Sequence, residues 1–226
     1  MVIKAILFDL DETLLDRRST AAEFLQMQYR ELVAGQFGDA LSQDQYAARY
    51  FKLEEEGLVK KSDLYPALVA SFGLPAELSG PLLNHFRLRY PEMARPMNGA
   101  REALQTLRKV GLPCAIISNG EGGVQRKKIE VAGLADLIEF ALISGEVGIR
   151  KPDRQIFEMA AERLGLLPSE CVFVGDNPTA DVLGALNAGM SAVYFGEIET
   201  WPLELPEPDY ACNSLGDVVA LIATLE

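Results

Sequence analysis

Short apolar runs separated by helix-length stretches constrain this chain more than any other feature. Residues 2–10, 113–118, 140–144, 171–175 and 191–195 are each apolar almost throughout. That pattern suits strands buried on both faces, not strands with one wet face. Helical stretches lie between the later runs, at 100–110, 124–132, 153–164 and 179–188, and Gly111, Gly133, Gly165 and Gly189 stand where such helices stop. Strands alternating with helices imply βαβ crossovers. The expected fold class is therefore α/β, a doubly wound parallel sheet with helices on both faces.

Residues 15–96 break this rhythm. They contain no strand-like run and read as successive helices at 20–33, 42–56, 62–72 and 77–88. Ser42 and Ser62 resemble N-caps, and Gly57 and Gly73 resemble stops. The chain is thus expected to divide into an α/β core, residues 1–14 and 97–226, and an inserted all-helical domain, residues 15–96. The two hinges fall near 15–18 and 95–98. Residues 196–209, with Pro202, Pro206 and Pro208, read as loop. The acidic segment 197–226 and its Trp201 read as solvated surface.

The 33 acidic and 21 basic side chains leave a net charge of −12. Such a field repels nucleic acid and anionic membranes, so neither is an expected partner. The single His85 excludes zinc sites rich in histidine. Cys114, Cys171 and Cys212 are odd in number and widely spaced, which disfavours a disulfide framework and fits a reduced, cytoplasmic protein. The N-terminal run reaches Asp9 too soon for a signal peptide. Among the helices expected in 15–96, Tyr46, Tyr50 and Phe51 read as core and His85 as a packing or surface residue. Arg17 and Arg18 read as a solvated hinge, and Arg126-Lys127-Lys128 as a solvated helix face.

Four short segments carry chemistry. Asp9-Leu10-Asp11-Glu12-Thr13 follows the first strand, at the sheet edge where ligands of open parallel sheets bind. One of its aspartates can serve as a nucleophile and the other as an acid and base; the same residues also fit a solvated turn. Ser118-Asn119-Gly120 ends the second core strand and offers a hydroxyl to a phosphoryl oxygen, or forms a strand-end turn. Arg150-Lys151-Pro152-Asp153 sets a cation before a helix. Gly175-Asp176-Asn177-Pro178-Thr179-Ala180-Asp181 places two acids beyond a strongly apolar strand, a donor set suited to Mg²⁺.

Taken together and in this order, the four segments resemble the motifs of the haloacid dehalogenase-like hydrolase superfamily. The helical insertion falls where that superfamily's type-one cap falls. The resemblance implies a Rossmann-like core and a Mg²⁺-dependent phosphohydrolase that works through an aspartyl-phosphate. It implies that Asp9 is the nucleophile and Asp11 the general acid and base, with the Asp11 backbone carbonyl on the metal. It implies that Thr13 braces the loop. Ser118, Asn119, Lys151 and Thr13 are the implied phosphate-binding residues, Ser118 and Lys151 also stabilising the reaction. Asp9, Asp11, Asp176 and Asp181 are the implied metal set. Asn177 stands where relatives often have serine or aspartate.

The expected substrates are small phosphomonoesters of the nucleotide, sugar phosphate or phosphoglycolate type, handled by a monomer or homodimer. The rivals are a phosphomutase of the β-phosphoglucomutase type and a 2-haloacid dehalogenase. Halide departs without protonation, so Asp11 and paired metal acids favour phosphoryl chemistry. From another class, a receiver-like signalling domain shares the phosphorylatable aspartate, Mg²⁺ and lysine. It lacks such a helical insertion.

Overall fold

The computed structural model describes residues 2–37, 41–57 and 59–225. It divides into two compact units, one of residues 1–16 and 95–226, the other of residues 17–94.

The first unit is built on six strands: β1 (Ala5–Phe8), β2 (Cys114–Ser118), β3 (Ala141–Ile143), β4 (Cys171–Gly175), β5 (Ser191–Phe195) and β6 (Tyr210–Cys212). All are parallel, in the order β3-β2-β1-β4-β5-β6. Strands β1 to β4 are fully buried along their length, as continuous apolar runs require. The fold is the expected α/β doubly wound sheet. Strand order reverses between β1 and β4, and a crevice forms outside the C-terminal ends of strands at such a point. Phe8 pairs with Ile116 of β2 and with Val174 of β4. The residues that follow these three strands therefore leave the sheet side by side.

Helices Ala100–Lys109, Gly122–Val131, Arg154–Arg163 and Leu215–Ile222 accompany the sheet. One side of the core is centred on Leu7, Ile117, Phe157 and Phe173, with Phe157 and Phe173 edge to face at 5.1 Å between ring centroids. Gly111, Gly133, Gly165 and Gly189 all take positive φ at helix ends, as expected of C′ glycines. The expected helix at 179–188 forms in two parts, a π-helical segment Pro178–Leu183 and a short α-helix Gly184–Asn187.

Two readings are corrected here. Trp201 is buried, not solvated: its ring packs edge to face on Tyr194 at 5.0 Å. Proline content marks the segment as loop but says nothing of where an aromatic ring goes. The acidic C-terminal segment also contributes the edge strand β6 and the helix Leu215–Ile222, whose N-cap Ser214 accepts from Asp217 N.

At the boundary of this unit the chain is paired with itself. Leu15 and Pro96 form an antiparallel bridge, Asp16 N donates to Arg95 O at 3.0 Å, and Met97 N to Leu14 O at 2.8 Å.

The second unit is helical: Arg17–Leu32, Ala34–Phe37, Gln43–Glu54, Lys61–Ser71 and Ser79–Arg89. Ser42 and Gln45 form a capping box. Tyr46 and Tyr50 are buried, as expected. Buried Gln28 accepts from Tyr46 OH at 2.8 Å and Tyr65 OH at 3.2 Å, and donates to Leu82 O at 2.9 Å. Both ends of its amide are thereby hydrogen-bonded, which is what makes a buried polar group tolerable. Buried Glu54 lies 2.7 Å from Arg17 Nη1 and 2.9 Å from Lys61 Nζ, so Arg17 is a helix residue paired with a buried acid and not a solvated hinge. His85 stacks beside Phe24 and reaches Glu31 at 2.9 Å, a packing role. Among the described residues no helix is long and apolar enough to cross a membrane.

Candidate active site

The segment after β1 folds back on itself. Leu14 N and Leu15 N both donate to Leu10 O, and Glu12 N donates to Leu15 O. Glu12 takes φ of 63°, one of two described non-glycine residues in the left-handed region. This tight turn starts at Asp9, whose own N–H remains on the sheet through Val174 O at 2.9 Å. Asp9 is thus fixed by β4 before the chain leaves.

Strand register brings the expected acids together. Asp9, Asp176 and Asp181 each offer a carboxylate oxygen, and these oxygens lie within 4.8 Å of one another. Lys151 reaches into the group: its Nζ donates to Asp9 Oδ1 at 2.5 Å and stands 2.6 Å from Asp181 Oδ1. The ammonium also lies 5.1 Å from the Phe173 ring centroid. Lys151 and Asp181 are almost completely buried.

Asp181 is held by its neighbours. Asn177 N donates to Asp181 Oδ2 at 3.0 Å. The Asn177 side chain accepts from Thr179 N and Ala180 N, capping the π-helical segment that carries Asp181. Such π-turns often mark functional sites. The polar side chain at 177 thus positions an acid through the backbone.

Electrostatics follow from three acids sharing one cation in a buried place. Burial pushes Asp9 up to about 7; Lys151 opposes this, and Asp181 adds to it. Burial, then Asp9 and Asp181, push Asp176 up to about 9. Burial works against the charged form of Lys151, but Asp181 and Asp9 more than offset it and hold Lys151 above the usual lysine range. The excess of negative charge, carried by hard oxygen donors alone, fits a divalent cation of the Mg²⁺ kind. It leaves no nitrogen or sulfur ligand for zinc among these residues.

Ser118, last residue of β2, is buried and accepts from Gln125 Nε2 at 2.7 Å. Thr13 is fully buried, and its Oγ1 has no hydrogen-bond partner among the described residues. Asn119 turns its amide to the main chain of Lys151: Nδ2 donates to Lys151 O at 3.0 Å, and Oδ1 accepts from Lys151 N at 3.0 Å. The carboxylate of Asp11 is not in the three-acid cluster. It accepts from Gln125 Nε2 at 2.8 Å and from Lys128 Nζ.

Lys128 corrects the reading of residues 126–128 as a solvated face. Arg126 does pair at the surface with Glu146, but Lys128 is buried. Gln125 also escaped the sequence reading. The signal for Gln125 and Lys128 was present: both lie on one helical stripe with the apolar Val124 and Ile129, all four buried. A charged run in sequence hides that stripe.

Comparison with known proteins gives the family. Residues 3–189 match the haloacid dehalogenase-like hydrolase family. A phosphoserine phosphatase of Thermus thermophilus is 34% identical over 85% of this chain and 88% of its own. A glyceraldehyde 3-phosphate phosphatase of Pyrococcus furiosus is 28% identical over 99% of this chain and 93% of its own. Among solved structures, a phosphatase of the same family from Thermococcus onnurineus superimposes with a TM-score of 0.71 at 29% identity, covering 97% of this chain and 98% of that one. With the motif order, the sheet topology and these matches in agreement, the chain belongs to the haloacid dehalogenase-like hydrolase family.

Proposed function

We propose that the protein is a Mg²⁺-dependent phosphomonoester hydrolase that works through a phosphoaspartate on Asp9. The observation that carries this reading is the buried Asp9 carboxylate at the end of β1, bonded to Lys151 and grouped with Asp176 and Asp181. A carboxylate so placed is oriented for attack and is not freely solvated. The similar phosphoserine and glyceraldehyde 3-phosphate phosphatases support a small phosphorylated metabolite as substrate.

A carboxylate oxygen of Asp9 attacks phosphorus, and the bond from phosphorus to the ester oxygen breaks. Asp11, two residues on, gives its proton to the departing alkoxide. Water then attacks the phosphoaspartate, Asp11 takes a proton from it, and the phosphorus–Asp9 bond breaks to release phosphate. Ser118 and Lys151 stabilise the charge on the phosphoryl oxygens. Asp9, Asp176, Asp181 and the Asp11 carbonyl would hold Mg²⁺, which supplies charge neutralisation and a template for the phosphoryl group. In this reading residues 17–94 form the cap that governs substrate choice.

The test is phosphate release from a panel of phosphorylated metabolites, with Mg²⁺ and with chelator, for the unmodified protein and Asp9→Asn. Release that needs Mg²⁺ and vanishes in Asp9→Asn is the expected result. Turnover that survives either change defeats the mechanism. Formation of an isomer in place of phosphate would indicate a mutase.

A further inference from the structure

Gln125 and Lys128 lie one turn apart on the helix Gly122–Val131, both buried. The reaction above uses neither. Lys128 Nζ donates to Gln125 Oε1 at 2.8 Å and to Asp11 Oδ1. Gln125 Nε2 donates to Asp11 Oδ2 at 2.8 Å and to Ser118 Oγ at 2.7 Å. A four-residue chain of hydrogen bonds therefore joins the two residues to the acid and the hydroxyl of the site.

The polarity of this chain is forced. An ammonium only donates, so the oxygen end of the Gln125 amide must face Lys128. The amino end must then face Asp11 and Ser118, and its two protons are both used. Ser118 Oγ accepts one of them, so its own proton is directed elsewhere. Asp11 receives a donor on each oxygen, which fixes the plane of the carboxylate and presents it as an acceptor. Holding a lysine buried beside an amide and an acid is costly unless it is paired and hydrogen-bonded. Here Lys128 has the Asp11 carboxylate and the Gln125 carbonyl as acceptors, whereas the neighbouring Arg126 pairs at the surface with Glu146.

We propose that Gln125 and Lys128 are positioning residues. They hold Asp11 as the acceptor for the proton of the attacking water, and they make the Ser118 hydroxyl a donor to the phosphoryl group. The inference rests on the phosphohydrolase reading.

Its test uses Gln125→Glu, Lys128→Met and Lys128→Arg in the full chain, with p-nitrophenyl phosphate, whose leaving group departs without a proton. Gln125→Glu keeps the shape and the Lys128 pair but replaces the shared donor by an acceptor. Steady phosphate release is expected to fall about 10- to 100-fold in Gln125→Glu and Lys128→Met. Nitrophenolate should appear in a stoichiometric burst as phosphoenzyme accumulates, and inorganic phosphate should inhibit more weakly. Lys128→Arg should recover most of the rate. If kcat and phosphate inhibition stay within about twofold of the unmodified protein, the proposal fails, whatever the melting temperature does. If the unmodified protein shows no turnover, or Asp9→Asn retains it, the phosphohydrolase reading itself fails and takes this inference with it.

Discussion

A β-carbon on Gly175 would stand 2.5 Å from Oδ2 of Asp181. Gly175 is the last residue of β4, and the Asp181 carboxylate lies directly against its α-carbon side. No methyl fits there unless the acid moves. Gly175→Ala should therefore displace Asp181 from Asp9 and Lys151. The expected cost is about 10- to 100-fold in phosphate release and about 1–3 kcal/mol in stability. Activity titrated with Mg²⁺ should show a raised half-saturation point. An unchanged titration curve would mean that Asp181 is not needed where it stands.

The shared acids predict how pH and metal act together. Asp9 is raised to about 7 and Asp176 to about 9, from ordinary values of 3.8. Between those limits the folded chain binds more protons than the unfolded one. The contribution of these acids to stability is full below about pH 4 and is lost as pH rises towards 9. A cation must displace the same protons, so its stabilising effect grows over that range. Melting temperatures in chelator and in Mg²⁺ should diverge as pH rises from about 6 to about 9. Parallel curves would exclude these carboxylates as the cation's ligands.

In the helical unit Glu54 works with the opposite sign. Burial alone would raise its pKa, but Lys61 and Arg17 outweigh burial and hold it below the usual range. Its contribution is fully present above the ordinary value of 4.5 and is lost as pH falls through the lowered folded value. Glu54→Ala leaves two cations without their buried partner, at a cost of about 3 kcal/mol. Denaturant unfolding at neutral pH should show the loss, and the difference from the unmodified protein should shrink in acid.

Asn119 brackets Lys151 through both ends of its amide. Asn119→Ala removes both bonds to the Lys151 backbone and lets the ammonium wander from Asp9. We expect kcat to fall about tenfold with little loss of stability, because the pair is only part-buried. Asn119→Asp keeps the acceptor to Lys151 N but not the donor, and should lie between the two. Equal activity in all three would separate Asn119 from the placement of Lys151.

The core was legible in the sequence because fully buried parallel strands must be apolar end to end, and the acids that follow Phe8 and Gly175 interrupt such runs abruptly. Helix stops were legible because a C′ position favours glycine. Lys128 was harder: its neighbours Arg126 and Lys127 are charged and mask the stripe it shares with Val124 and Ile129, and its partner Asp11 is distant in sequence. Trp201 and β6 were missed for a related reason. Three prolines dominate local propensity there, while the decisive contacts, Tyr194 for the ring and β5 for the strand, are distant in pattern. Asn119 was placed correctly in the chain, but its geometry assigns it to the Lys151 backbone.

The antiparallel bridge between Leu15 and Pro96 closes the first unit on itself at the point where the helical segment leaves it. Its two severed ends are already fastened to each other, so the unit sees the intervening chain as though it were a hairpin turn. Loop-closure entropy rises only slowly with length. The whole helical segment is thus a removable graft: foreign helices, or a short Gly-Ser bridge, spliced between Asp16 and Arg95 should leave the parallel sheet able to fold.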